Sequence, residues 1–201
     1  MRATYWGHSG FSVETGNLTL LFDYIGGGFA RPAGKSIAFV SHEHHDHVSE
    51  EVYALADEVV RGMTEGECRE IFGAKIRAFG STDEGVSFLV HNGSDRIFHA
   101  GDLNFWHWRA ESTEEEVREA LAGYERVLGT LAGERIDIAF FPVDPRMGDG
   151  YAEGAEMFLD RINPKILVPM HFWDHPEAAI QFAAQHENVR AMTAPGETIS
   201  V

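Results

Sequence analysis

The chain has 201 residues, enough for one domain with a substantial core, and its 44% hydrophobic and 24% charged content is ordinary for a soluble globular protein. A formal net charge of −16, with the 16 Lys and Arg scattered, opposes binding to a polyanion, because nucleic-acid affinity comes largely from basic side chains neutralising phosphates. There is no apolar run of membrane-spanning length, no signal-peptide core in Met1-Arg2-Ala3-Thr4-Tyr5-Trp6-Gly7-His8, and one cysteine, Cys68, so no internal disulfide. These features point to a cytoplasmic protein that does not enter a membrane, with Cys68 a buried or inert thiol.

Residues 2–6, 11–14 and 18–22 are β-rich runs separated by Gly10 and by Thr15-Gly16-Asn17, a hairpin-turn signal that predicts a three-strand meander ending at Asp23. A flexible loop follows from Gly26-Gly27-Gly28 to Pro32, and residues 37–41 read as a buried strand. Ser49 predicts a helix N-cap, with Glu50 and Glu51 in the first turn and Val52, Leu55, Ala56 and Val59 on one face. The capping box Thr64-x-x-Glu67 predicts a second, short helix. Residues 75–79, 86–91 and 96–99 are further strands, the last two joined by Asn92-Gly93-Ser94-Asp95.

Ser112-x-x-Glu115 opens the longest predicted helix, whose apolar face is Val117, Ala120, Leu121, Tyr124, Leu128 and Leu131. A buried strand at 136–141, a helix at 151–162, a strand at 166–169, a helix at 176–186 and closing strands at 189–192 and 198–201 complete the pattern. Strand and helix runs occur in both halves with no linker between them. Residues 1–201 are therefore expected to form one mixed α/β layered domain.

The strand at 37–41 runs into Ser41-His42-Glu43-His44-His45-Asp46-His47. Imidazole nitrogens and carboxylate oxygens are the donors that first-row divalent metals take, zinc above all. A strand end followed by a loop is also where layered α/β folds place their sites. The spacing His42-x-His44-x-Asp46-His47 resembles the signature of the metallo-β-lactamase superfamily. That resemblance implies a four-layer αβ/βα sandwich, two central mixed sheets flanked by helices. It also implies one or two divalent ions, zinc first with manganese or iron as alternatives. His42 and His44 would then hold one metal and Asp46 and His47 a second.

Further matches follow in order. Asp102, after the strand-like Ile97-Phe98-His99-Ala100-Gly101, corresponds to the carboxylate that bridges the two metals in the family. His171, after Ile166-Leu167-Val168-Pro169-Met170, corresponds to the last ligand of the second metal. Asp23 corresponds to a carboxylate that supports the histidine loop from behind. The third motif departs: Gly80-Ser81-Thr82-Asp83-Glu84-Gly85 has Ser81 where the family has a histidine. Asp83 is a candidate substitute ligand. A weak first site, or donation from His99 or His107, are the alternatives.

Other residues are expected to line the site. Trp6-Gly7-His8-Ser9-Gly10-Phe11 resembles the start of a lactonase-like branch of the superfamily, and His8 sits either near the metals or simply in a turn. Trp106, Phe172, Trp173 and Arg146 are candidate pocket residues, Arg146 as an anchor for an anionic group, with His107 or His8 a candidate proton donor. Trp106 and Trp108 alternatively pack on the long helix. The resulting expectation is a hydrolase in which a metal-bound hydroxide attacks a small ester, lactone, thioester or phosphodiester, with Asp46 or Asp102 taking the proton. The competing readings are a non-hydrolytic metal-binding or redox protein with a degraded first site, and, disfavoured by charge, a nuclease.

Overall fold

The opening meander forms where its turn residues place it. In the computed structural model, which describes residues 1–201, β1 (Arg2–Gly7), β2 (Gly10–Thr15) and β3 (Leu18–Phe22) run antiparallel. Gly16 supplies the left-handed φ of 55° that the two-residue turn requires. β4 (Lys35–Phe39) pairs parallel to β3, β5 (Glu58–Val60) pairs parallel to β4, and β12 (Thr198–Ser200) closes the opposite edge on β1. A second mixed sheet holds β6 (Cys68–Ile71), β7 (Ala74–Phe79), β8 (Ser87–Asn92), β9 (Asp95–His99), β10 (Ile138–Pro142) and β11 (Ile166–Met170) in sequence order. Its first four strands are antiparallel, and β9, β10 and β11 are parallel.

Side-chain alternation divides each sheet between two interfaces. In β4, Ile37 and Phe39 join the large core between the sheets, whereas Ala38 faces outward with Leu21, Tyr24, Val52 and Ala56. Across the central interface Phe11 stacks on Phe140 with centroids 4.1 Å apart, and Phe39 meets Phe88 at 5.3 Å. On the outer side of the second sheet Phe98 packs on Phe158 at 5.4 Å. The helices α1 (Val52–Leu55), α2 (Glu114–Leu131), α3 (Glu153–Ile162) and α4 (Pro176–Gln185) cover these outer faces. Two mixed sheets flanked by helices are the expected sandwich. No helix is long and apolar enough to cross a membrane.

Several local expectations are corrected. The helix after Ser49 is a single turn, because Asp57 pulls the chain into β5: its carboxylate accepts the Ser36 N–H at 2.9 Å. Thr64 and Glu67 do pair, with the Thr64 N–H donating to Glu67 Oε2 at 3.1 Å, but no helix follows. Gly66 lies between them at φ 86°, and the chain continues into the alternating strand β6. The capping box of α2 is formed by Thr113 and Glu116, one residue later than expected. Residues 189–192 make only an isolated bridge, Leu167 to Val189. Cys68 is exposed, not buried.

Candidate metal centre

The segments that leave β3, β4, β9, β10 and β11, together with the β1–β2 turn, carry the candidate ligands to one place. Two donor groups form there: His42, His44 and Asp102, and His8, Asp46, His47 and His171, with the ligand atoms of each group within 4.8 Å of one another. In the first group, His42 Nε2 lies 3.0 Å from His44 Nδ1 and 3.3 Å from Asp102 Oδ2. The other oxygen of Asp102, Oδ1, lies 3.1 Å from His47 Nε2 and 3.5 Å from His171 Nε2. Asp102 therefore presents one oxygen to each group.

Glycines make this approach possible. Gly101 has φ 54°, and a Cβ there would sit 2.9 Å from Ser41 Cβ and from the Val86 carbonyl. At Gly85, φ 74°, a Cβ would sit 2.1 Å from the Ser41 carbonyl and 2.6 Å from His42 Cβ. His8, Asp23, Trp108, His171 and Trp173 also adopt positive φ. Left-handed backbone at non-glycine residues is expected to gather where a site dictates side-chain direction.

A layer of buried carboxylates orients the imidazoles. Asp23 Oδ1 accepts the Ser41 N–H at 2.8 Å, and its Oδ2 accepts the Ser41 hydroxyl at 2.6 Å and the His47 Nδ1–H at 2.7 Å. Ser41 Oγ in turn lies 2.9 Å from His42 Nδ1. On the far side Asp144, fully buried, accepts from His171 Nδ1 at 2.9 Å and is held by the Nε of Arg146. Bonds to Nδ1 leave each Nε2 facing the centre.

Electrostatics follow the burial. Burial alone would lower the His47 pKa, but Asp102 and Asp23 on either side hold it up at about 10. His8 is pushed down to about 3 by burial, with His171 and His47 adding to the effect. Burial would raise Asp102, yet the neighbouring His42 and His47 keep it well below the ordinary carboxylate range. Asp144 is held down to about 2 against burial by His171 and Arg146.

The donor set fits a divalent cation. His8 Nε2, His47 Nε2 and Asp102 Oδ1 are all buried without a hydrogen-bond partner, and all three belong to the cluster. Unsatisfied buried polar atoms are costly, and a coordinating ion satisfies several at once. Imidazole with carboxylate suits zinc, manganese and iron alike.

A cavity of about 570 Å³ opens over the cluster, lined by His44, His45, Asp46, Asp102 and His171, with Thr82, Asp83 and Arg146 at its margin and Trp106, Trp108 and Trp173 as walls. Trp106 is fixed by its indole N–H, which donates to the Asp102 carbonyl at 2.7 Å. Arg146 lies over the Trp173 ring at 4.7 Å and the Trp108 ring at 5.6 Å.

Four residues singled out from the sequence lie outside the two donor groups. His107 points away from the cavity: its Nε2 donates to the Gly150 carbonyl at 3.1 Å and its Nδ1 accepts the Arg109 N–H at 3.2 Å, so neither nitrogen is available as a proton donor. Phe172 is packed in the core against Tyr5 and does not line the cavity, whereas Trp173 lines it as expected. Asp83 lines the cavity, but its carboxylate is outside both donor groups. His99 is buried under Phe22, with Nε2 donating to the Ser9 carbonyl at 2.9 Å and Nδ1 accepting the Gly101 N–H at 3.2 Å, and it lies outside both donor groups. Asp144 escaped the sequence reading. Its signal was present, since it follows a buried strand as Asp102 and His171 do.

A family model described as a β-lactamase superfamily domain matches residues 2–117. The chain belongs to the metallo-β-lactamase superfamily. Among its relatives, metal-dependent hydrolases of Symbiobacterium thermophilum and Opitutus terrae are 28% and 27% identical over 245 and 251 residues, with 100% of both chains covered in each case. The structure of a metallo hydrolase from Ignicoccus hospitalis superimposes with a TM-score of 0.68 at 18% identity, over 98% of this chain and 97% of that one. An isothiocyanate hydrolase from Delia radicum gut bacteria gives 0.59 at 14% identity, over 100% and 99%. At these identities the structural likeness speaks for the fold. Superfamily membership and the full-length relatives together make this chain a metal-dependent hydrolase of the metallo-β-lactamase superfamily.

Proposed function

We propose that this metallo-β-lactamase-fold hydrolase cleaves a small ester, lactone, thioester or phosphodiester at a two-cation centre. The observation that supports this reading is the sharing of Asp102 between two donor groups at the base of one cavity. His42, His44 and Asp102 would hold one cation, and Asp46, His47, His171 and Asp102 the other, with zinc the first candidate. Bound there, a divalent cation supplies Lewis acidity and brings the pKa of a water from about 15.7 to near 7.

The chain's own residues supply the rest. Asp23 and Asp144 fix the tautomers and directions of His47 and His171. Asp46, with a partly exposed side chain, is placed to accept a proton from water at a carboxylate oxygen. Trp106, Trp108 and Trp173 supply the apolar part of the cavity wall against which a substrate can pack. Asp144 engages Nε and Nη2 of Arg146, so Nη1 is left to meet an anionic group of the substrate.

The test is a panel of these four substrate classes presented to metal-loaded protein, with D46N as the comparison. Hydrolysis of at least one class, reduced about a hundredfold or more in D46N, supports the reading. Metal-loaded protein that cleaves none of the four contradicts it.

A further inference from the structure

The two donor groups are unequal, and the inequality runs through a residue outside the H-x-H-x-D-H loop. The first group has two imidazoles and a share of Asp102, and the side chain of His44 is 45% exposed. Ser81 stands at the position where the family pattern would add a third imidazole. The second group is richer and drier: His8, Asp46, His47 and His171 have side-chain exposures of 7, 17, 0 and 4%.

His8 is positioned as a member of that second group. Its Nε2 is buried, has no hydrogen-bond partner and lies 3.5 Å from Asp46 Oδ2. Its ring centroid is 4.2 Å from that of His171 and 5.6 Å from that of His47. The backbone holds it there. His8 takes a left-handed φ of 47° in the irregular β1–β2 turn, and its carbonyl accepts the His171 N–H at 3.3 Å. The turn that carries His8 is thus tied to the strand end that carries His171.

We propose that His8 Nε2 is a ligand of the second cation, and that the second site is the tighter of the two. The β1–β2 turn contributes a third imidazole to the second cation. This inference rests on the divalent centre proposed above but not on its hydrolytic activity, so a failed substrate panel and a failed metal assignment are distinguishable.

The experiment titrates metal-free wild-type protein, its histidine rings labelled with an NMR-active nitrogen isotope, with an NMR-active cadmium isotope. The first equivalent is expected to produce one-bond cadmium–nitrogen couplings at Nε2 of His8, His47 and His171. Couplings at His42 and His44 are expected only with the second equivalent. Absence of coupling at His8 overturns the ligand assignment, and first occupancy of His42 and His44 overturns the order of affinities. In parallel, H8N, chosen because asparagine tolerates a left-handed backbone, should weaken the tighter cadmium event at least about tenfold. An unchanged affinity in H8N counts against the proposal.

Discussion

Replacing Gly85 by alanine tests how the histidine loop is held. Gly85 has φ 74°, and an alanine Cβ would lie 2.1 Å from the Ser41 carbonyl and 2.6 Å from His42 Cβ. Left-handed backbone costs about 1–2 kcal/mol for a residue with a Cβ. The overlap requires the Ser41–His42 segment to retreat by about 1 Å, and overpacking of this kind adds about 1–3 kcal/mol. Gly66 provides the control, because it has φ 86° and nothing within 4 Å of a built Cβ. For a chain of this size about 1 kcal/mol lowers the Tm by about 2–4 °C. G85A should therefore melt about 4–20 °C below wild type, and G66A about 2–8 °C below. Calorimetric melting of the metal-free proteins gives the stabilities, and titration calorimetry with zinc reads the second consequence. Because His42 is directly displaced, G85A should lose about tenfold or more in affinity at the first cation site, while G66A keeps it. Matching Tm values and zinc affinities in G85A and G66A would refute the close-packing argument.

Other consequences are measurable by simpler means. D144N removes the carboxylate charge that orients His171, and should lower cation affinity about 10- to 100-fold in titration calorimetry with little change in far-UV circular dichroism. Saturating zinc at about 100 times its Kd should stabilise the protein by about 2.7 kcal/mol, a Tm rise of several degrees that a chelator reverses. Away from the site, Asp137 accepts the Arg96 N–H at 2.9 Å and pairs with Lys165 at 2.6 Å; burial alone would raise its pKa, but these partners hold it below the ordinary carboxylate value. A depressed folded-state pKa gives stability that is present above the unfolded value of about 3.9 and lost as pH falls through the folded value. D137N should be less stable by about 1–2 kcal/mol at neutral pH and lose less on acidification, as chemical denaturation at several pH values would show.

The parts of the centre legible in the sequence are those carried by contiguous residues or by strand ends. His42, His44, Asp46 and His47 sit within one loop, and Asp102 and His171 each terminate an apolar strand, so type and context point to them together. Asp144 is also at a strand end, but its role depends on β10 lying parallel beside β11, a neighbour relation that the sequence does not state. His8 is harder still, since its approach to His171 is set by the positive φ in the β1–β2 turn and by a hydrogen bond spanning the two sheets. The histidine at 107 misled because an aromatic run beside a ligand suggests a site wall, while backbone partners at Gly150 and Arg109 turn its ring away. Helix signals at Ser49 and Thr64 failed for a local reason. Ser49 Oγ does accept the Glu51 N–H at 3.2 Å and Glu67 the Thr64 N–H at 3.1 Å, but Asp57 and Gly66 direct the chain into parallel and antiparallel pairing instead of a long helix.

The fold itself was read through the resemblance more than through periodicity. Strands such as β10 are buried along their whole length, so they show no alternation and look alike whether they pack in a sheet or in a helix. The arrangement of two sheets with a shared ligand edge enters with the superfamily, and the cross-sheet contacts of Phe11, Phe140, Phe39 and Phe88 show how this sequence fills it.

The most direct measurement is titration calorimetry of metal-free protein with zinc, wild type beside D102N. Asp102 faces both donor groups, one oxygen to each, so wild type should bind two equivalents per chain and D102N should weaken both events together. Wild-type protein that binds no zinc, or a D102N variant in which only one event changes, would contradict a centre built around that carboxylate.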